Sequence, residues 1–96
     1  MYVKIHMNER DTILAACDEH LAGQTFREGD ARLDVNEVFY KGDILDRAGL
    51  VERMKSASIM NLVGDEAVGI AIDEGYASET DVIIIGGVRY VQVVLL

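Results

Sequence analysis

The stretch Val82-Ile-Ile-Ile-Gly-Gly-Val-Arg-Tyr-Val-Gln-Val-Val-Leu-Leu96 places two apolar runs on either side of a Gly-Gly pair. β-Branched side chains suit a pleated surface, and consecutive glycines supply the positive φ angles of a two-residue hairpin turn. The pattern therefore predicts an antiparallel hairpin, Val82 to Ile85 and Val88 to Leu95, with its second strand reaching the end of the chain as core rather than tail. Neither run carries a clean polar face. Sheets covered on both sides have this composition, so helices or a partner subunit are expected against the hairpin.

The rest of the chain divides by period. Tyr2 to Met7 alternates, with Val3, Ile5 and Met7 opposed to Tyr2, Lys4 and His6, and Thr12 to Cys17 returns after the turn Asn8 to Asp11. This is an amino-terminal hairpin. Asp18 to Gly23 reads as a loop or single helical turn, and short strands follow at Gln24 to Arg27 and from Ala31 to Asn36 around Glu28-Gly29-Asp30. From Asp43 the spacing of Ile44, Ala48, Val51 and Met54 becomes helical. Asp43 stands at the N-cap position, and Asp46 in the first turn favours the helix dipole. Ser56 to Val63 is expected to continue that helix or begin another, closed by Gly64 as a left-handed cap. Asp65 then caps a helix over Glu66 to Glu74 that Gly75 stops, and Ser78 to Asp81 forms the last link. The expected class is α+β: a mostly antiparallel sheet from an N-terminal hairpin, middle strands and a C-terminal hairpin, with two or three helices, about 44–75, on one face.

With 96 residues, half of them hydrophobic, residues 1–96 make one compact domain around one core. Cys17 is the only cysteine, which excludes an internal disulfide and favours a reducing, cytoplasmic setting. The first residues lack the basic leader and apolar run of a secretion signal, and no run of about 18 apolar residues spans a membrane. A formal charge of -8 argues against autonomous duplex DNA binding. The arginines and lysines are interleaved with Asp and Glu and read as solvated faces. The acidic excess also fits a salt-rich cytoplasm.

At Phe39-Tyr40-Lys41-Gly42, Asn61-Leu62-Val63-Gly64, Ala71-Ile72-Asp73-Glu74-Gly75 and Ile85-Gly86-Gly87-Val88, the chain resembles the uncharacterised archaeal family named domain of unknown function 424. Cys17-Asp18-Glu19 and Arg27-Glu28-Gly29 fit the same likeness, which runs from the first strand to the end. The order and spacing of these segments carry it, since no single one is specific. Family members typically continue past Gly-Gly with Pro-His-Ala-Gln, where this chain has Arg89-Tyr90-Val91-Gln92 and keeps only the glutamine. Tyr90 cannot replace a histidine as a base near neutral pH. The resemblance implies a compact intracellular archaeal protein without an established activity, in loose association with translation genes.

Two constellations stand out. In the first, Cys17, Asp18, Glu19 and His20 offer a thiolate, an imidazole and carboxylates for a metal or a reactive thiol, with His6 across the hairpin. Strand parity puts Cys17 with Ile13 and Ala15 but His6 with Lys4 and Tyr2, which argues for Cys17 as a packed small hydrophobe. In the second, Asn61, Gly64 and Asp65 form a helix-helix corner expected to face Gly86 and Gly87, with Arg89, Tyr90 and Gln92 beside it as contact anchors. Asp65 there counts against phosphate, because a capping carboxylate occupies the free amides and repels a second anion. Phe39 and Tyr40 read as core anchors at a corner.

No catalytic set, nucleotide loop or cofactor motif emerges. The expectation is a non-enzymatic binding module, tied to the archaeal translation machinery through a protein or ribonucleoprotein partner. The alternative is a small enzyme, or a ligand- or metal-binding protein, using Cys17 or His20 with the nearby carboxylates. A homodimer through the carboxyl-terminal strands is a third arrangement.

Overall fold

The computed structural model describes residues 1–95. Leu96, expected to end the last strand, lies outside them. Strands β1 (Tyr2–Met7) and β2 (Thr12–Cys17) form the amino-terminal hairpin, followed by a 3-10 turn at Glu19–Leu21. Next come β3 (Thr25–Glu28), β4 (Ala31–Asp34), a one-turn helix α1 (Glu37–Tyr40), the short β5 (Asp43–Ile44) and α2 (Arg47–Met54). The chain continues through β6 (Ile59–Val63), α3 (Asp65–Asp73), a 3-10 turn at Glu79–Asp81, β7 (Ile83–Ile85) and β8 (Val88–Val94). The fold is α+β, as expected. Its main sheet has six strands in the order β5-β1-β2-β6-β8-β7, antiparallel except for the parallel pair β2 and β6. β3 and β4 make a separate two-stranded hairpin rather than joining the main sheet.

Side-chain alternation gives the main sheet two distinct faces. Val3, Leu14, Ala16, Met60, Leu62, Val91 and Val93 point to one of them, where α2 contributes Leu50 and Met54 and α3 contributes Ala67, Val68, Ile70 and Ala71. Both longer helices thus lie on this face. On the opposite face Ala15, Cys17, Val63 and Ile85 pack with Leu21, Leu33, Val35 and Tyr40, so the β3–β4 hairpin, the first 3-10 turn and α1 cover one end of it. α1 is fastened to β1 by Lys4, whose Nζ donates to the Val38 carbonyl at 2.7 Å. His6 stacks on the Phe39 ring with centroids 4.6 Å apart, and its Nε2 lies 2.8 Å from the Phe39 carbonyl.

Three helix boundaries differ from the sequence expectation. Ser56 to Val63 is not helix: Ile59 to Val63 is β6, an interior strand between β2 and β8. An interior strand is apolar on both sides, and a short run such as Ile59, Met60, Leu62, Val63 fits a helical template equally well. Gly64 consequently ends a strand. Its φ of 102° starts α3 and closes no preceding helix. Asp43 belongs to β5, and the N-cap of α2 is Asp46, whose Oδ1 accepts from Gly49 N–H at 2.9 Å.

The carboxyl-terminal hairpin forms with Gly86 and Gly87 at φ 58° and 80°, both left-handed. Its expected shielding on both sides fails for β7. That strand is a sheet edge, and Ile83 and Ile84 are 54% and 56% exposed. Only Ile85 is buried, under the β3–β4 hairpin. Glu28 fastens that hairpin to the turn, its Oε1 accepting from Gly86 N–H at 3.0 Å.

Candidate functional site

The sequence Cys17-Asp18-Glu19-His20 leaves the end of β2 at the centre of the sheet, and Cys17 parts from the other three, which line one open pocket with Met1 and Glu66. Cys17 is fully buried between Tyr2 on β1 and Val63 on β6. Burial first, then the neighbouring Asp18 charge, pushes its thiol up to about 11, so it is protonated and inaccessible at neutral pH. Glu19 and His20 are exposed. His6 shares the face of Cys17 after all, but it pairs with Ile13 while Cys17 pairs with Tyr2, so the two sit at opposite ends of the hairpin. Separation along the strands, not opposite parity, keeps them apart. Among the described residues no three His, Cys, Asp or Glu side chains converge as a metal site.

Asp18 has a different task. It is 5% exposed, and its two carboxylate oxygens accept from the backbone N–H groups of Glu66 (3.0 Å) and Ala67 (2.9 Å). The strand end thereby caps α3 from outside the helix, a charge-assisted arrangement that also opposes the positive end of the helix dipole. Asp65, the expected cap, is exposed in the first helical turn instead. Gly64 makes the approach of Asp18 possible: a Cβ there would lie 2.3 Å from the Asp18 Cγ. The amides are occupied, as expected, but by a residue that sequence spacing places 48 positions away.

The eight expected contact residues separate into two groups. Gly64, Asp65, Gly87 and Arg89 gather, with Asp18, His20, Leu21 and Val88, around a cleft of about 80 Å³ at the α3 end of the sheet. The Gly64 N–H donates to the Arg89 carbonyl at 2.8 Å, which joins the β6–α3 corner to β8 as the glycine pattern suggested. Gly86 sits beside this cleft but is tied to Glu28. Arg89 is engaged too: its guanidinium bonds both carboxylate oxygens of Glu79, at 3.0 and 2.9 Å. The cleft is small, and the Asp18 carboxylate and Arg89 guanidinium that border it are already engaged with the α3 amides and Glu79.

Asn61, Tyr90 and Gln92 point the other way, to the sheet face opposite α2 and α3. Asn61 is the register partner of Gln92, and Val63 that of Tyr90. The Tyr90 hydroxyl donates to Asn61 Oδ1 at 3.4 Å. In the next row Ile13, Ile59 and Val94 are neighbours across β2, β6 and β8. Here the cover runs out: α1 lies over β1 and β2, the β3–β4 hairpin contacts β7, and Val94 is 58% exposed beside the exposed Gln92. Ile13, Ile59 and Asn61 are half-buried. Sequence reasoning missed Ile13 and Val94 because apolar strand residues read as core, and Ile59 because its run fits a helical template. The one available signal was Gln92, a polar residue on the same parity as Val94.

The model of the family described as protein of unknown function DUF424 matches residues 5–96, nearly the whole chain. This chain is a DUF424 protein. Among solved structures, the DUF424 chain is similar to the crystal structure of an uncharacterized conserved protein from Methanopyrus kandleri, with a TM-score of 0.83 and 25% sequence identity. The likeness covers 99% of this chain and 92% of that one, so the whole architecture is shared. No curated protein matches. Among the described residues no helix is long and apolar enough to cross a membrane.

Proposed function

We propose that this DUF424 protein is a non-enzymatic binding module that docks a protein partner on the uncovered part of its sheet, over β6 and β8. The observation that carries this reading is the break in cover there. Ile59 and Val94 offer apolar contact, Tyr90 an aromatic ring with a polar tip, and Asn61 and Gln92 amide groups, a mixture that suits the core and rim of a protein interface. The Tyr90 hydroxyl occupies one Asn61 oxygen position, which leaves the Asn61 amide hydrogens for a partner. A net charge of -8 favours a protein over bare phosphate backbone. Membership of a translation-linked assembly is the further part of the proposal, and it rests on the family resemblance alone.

The test is affinity capture from the native lysate in its own salt, comparing wild type with Gln92→Lys and Val94→Lys, and with Glu52→Lys on the far side of α2 as control. A partner held by wild type and the control but lost by both sheet variants, with melting temperatures unchanged, is the expected result. Equal capture by all four proteins overturns the surface. Loss of capture after ribonuclease replaces the protein partner with RNA. The alternative of a small enzyme or metal-binding protein using Cys17 or His20 has less support, since the Cys17 thiol is buried and protonated and no set of His, Cys, Asp or Glu among the described residues is arranged to hold a metal around His20.

A further inference from the structure

β7 is an open edge of unusual chemistry. All three of its residues are isoleucine, with Ile83 on the uncovered face and Ile84 on the helical face, each more than half exposed. Sheet edges are ordinarily blunted by charge, proline, a bulge or brevity. The other edge obeys this rule: β5 is two residues long and carries Asp43, which is paired with Arg53 at 3.3 Å. β7 is short as well, at three residues, but none of them is charged, and the nearest carboxylate, Glu28, reaches only the Gly86 amide beyond its end.

The hydrogen-bonding phase of this edge follows from its neighbour. Ile84 faces Arg89, and Arg89 turns its carbonyl away from β7 to accept from Gly64 N–H. Ile84 and Arg89 are therefore a non-hydrogen-bonded pair, and Ile84 directs its own N–H and C=O outward, off the sheet. A two-residue hairpin closed by Ile85 and Val88 requires the same phase. Exposed backbone groups flanked by uncharged β-branched side chains are a template for another strand.

From this edge we infer that this DUF424 chain self-associates by antiparallel pairing of β7 with β7 of a second copy, about a two-fold axis at Ile84. In that register the Ile84 N–H of each copy donates to the Ile84 carbonyl of the other, and Ile83 lies beside Ile85 of its mate. Asp81 meets Gly87, which has no side chain, and the Glu28 carboxylate, bonded to Gly86 N–H at 3.0 Å, faces Val82 of the mate and not its own counterpart, which confines the pairing to Ile83, Ile84 and Ile85. This self-complementarity is what selects a second copy over an unrelated strand. The pairing extends the six-stranded sheet of each copy into one continuous sheet. It also sets the uncovered faces of both copies on the same side. The contact is small, well below the ~1,200 Å² of stable complexes, so the dimer is transient and concentration-dependent. It stands on the edge geometry and does not depend on which partner occupies β6 and β8.

The experiment is sedimentation or light scattering from about 1 µM to about 1 mM in moderate KCl, a range that brackets weak association. Wild type is expected to pass from monomer to dimer within it. Ile84→Pro removes only the outward N–H, which an edge strand tolerates, and should stay monomeric with its circular dichroism and cooperative melting intact. Ile84→Lys, which keeps the N–H and sets two charges at the axis, gives a second route to the same result if the proline variant fails to fold. Ile44→Lys on the opposite edge should dimerise like wild type. A wild type that remains monomeric throughout, or folded Ile84 variants that still dimerise, overturns the inference.

Discussion

At the scale of single residues the fold turns on Asp18 and Gly64. A carboxylate held by two backbone amides, one of them on the buried Ala67, is difficult to replace, and Asp18→Ala is expected to cost about 1–3 kcal/mol through the donors it strands. Chemical denaturation measures this directly. Gly64→Ala is expected to cost at least as much, because it combines a φ of 102° with a Cβ inside the Asp18 carboxylate. Since both substitutions break one contact, the double variant should lose less than the sum of the single ones, and strict additivity would refute the coupling. Cys17 yields a second test. Its thiol should resist a soluble disulfide reagent until the protein unfolds, and rapid labelling of native protein would revive the reactive-thiol reading.

The same thiol sets a pH dependence. Its pKa is raised from 9.0 unfolded to about 11 folded, so between those values the folded state binds more protons than the unfolded one. Stability is therefore complete below about pH 9 and falls as pH rises through 11. Tyr40 and Tyr90, both raised by burial, act in the same direction above the ordinary tyrosine value of 10.0. Denaturation series from pH 8 to 11 should show the decline, with a shallower slope in Cys17→Ala.

At the scale of elements, each local signal worked where the element's environment was one-sided. β1 alternates because it lies one strand from the sheet edge, β2 follows from the short turn that returns it against β1, and the Gly86-Gly87 turn is stated by its residues. β6 carried no such signal. Interior on both sides, it lost the period that distinguishes strand from helix, and the glycine after it fits a helix end as readily as a helix start. The boundary at α2 failed for a smaller reason: Asp43 and Asp46 are both good caps, and pairing of Asp43 and Ile44 with Val3 and Tyr2 decided between them. Asp46→Ala should lower stability by ~1 kcal/mol, while Asp43→Ala, whose pair with Arg53 is exposed, should change it little. Paired thermal melts distinguish the two caps.

At the scale of the molecule the acidic excess acts on everything at once. With a formal charge of -8 on 96 residues, self-repulsion opposes compactness, and salt screens it over about 10 Å at 0.1 M. Melting temperature is expected to rise with KCl, and no change up to molar salt would remove the argument for a salt-adapted chain. The same screening should strengthen any association between two copies.

Composition, period and turn chemistry by themselves determined the α+β class, both terminal hairpins and, to within a residue, the helix Asp65–Asp73, because those features depend on residues near one another in the chain. The Gly64 corner does lie against the carboxyl-terminal hairpin, bonded to the Arg89 carbonyl, although it joins a strand to a helix and not two helices. Tertiary structure alone decided the rest. Whether Ile59 is core or surface, whether Asp18 or Asp65 caps α3, and whether an isoleucine strand is shielded or bare depend on which elements stop short of covering which faces. That is a matter of where α1 and the β3–β4 hairpin end in space, and no local run of residues encodes it.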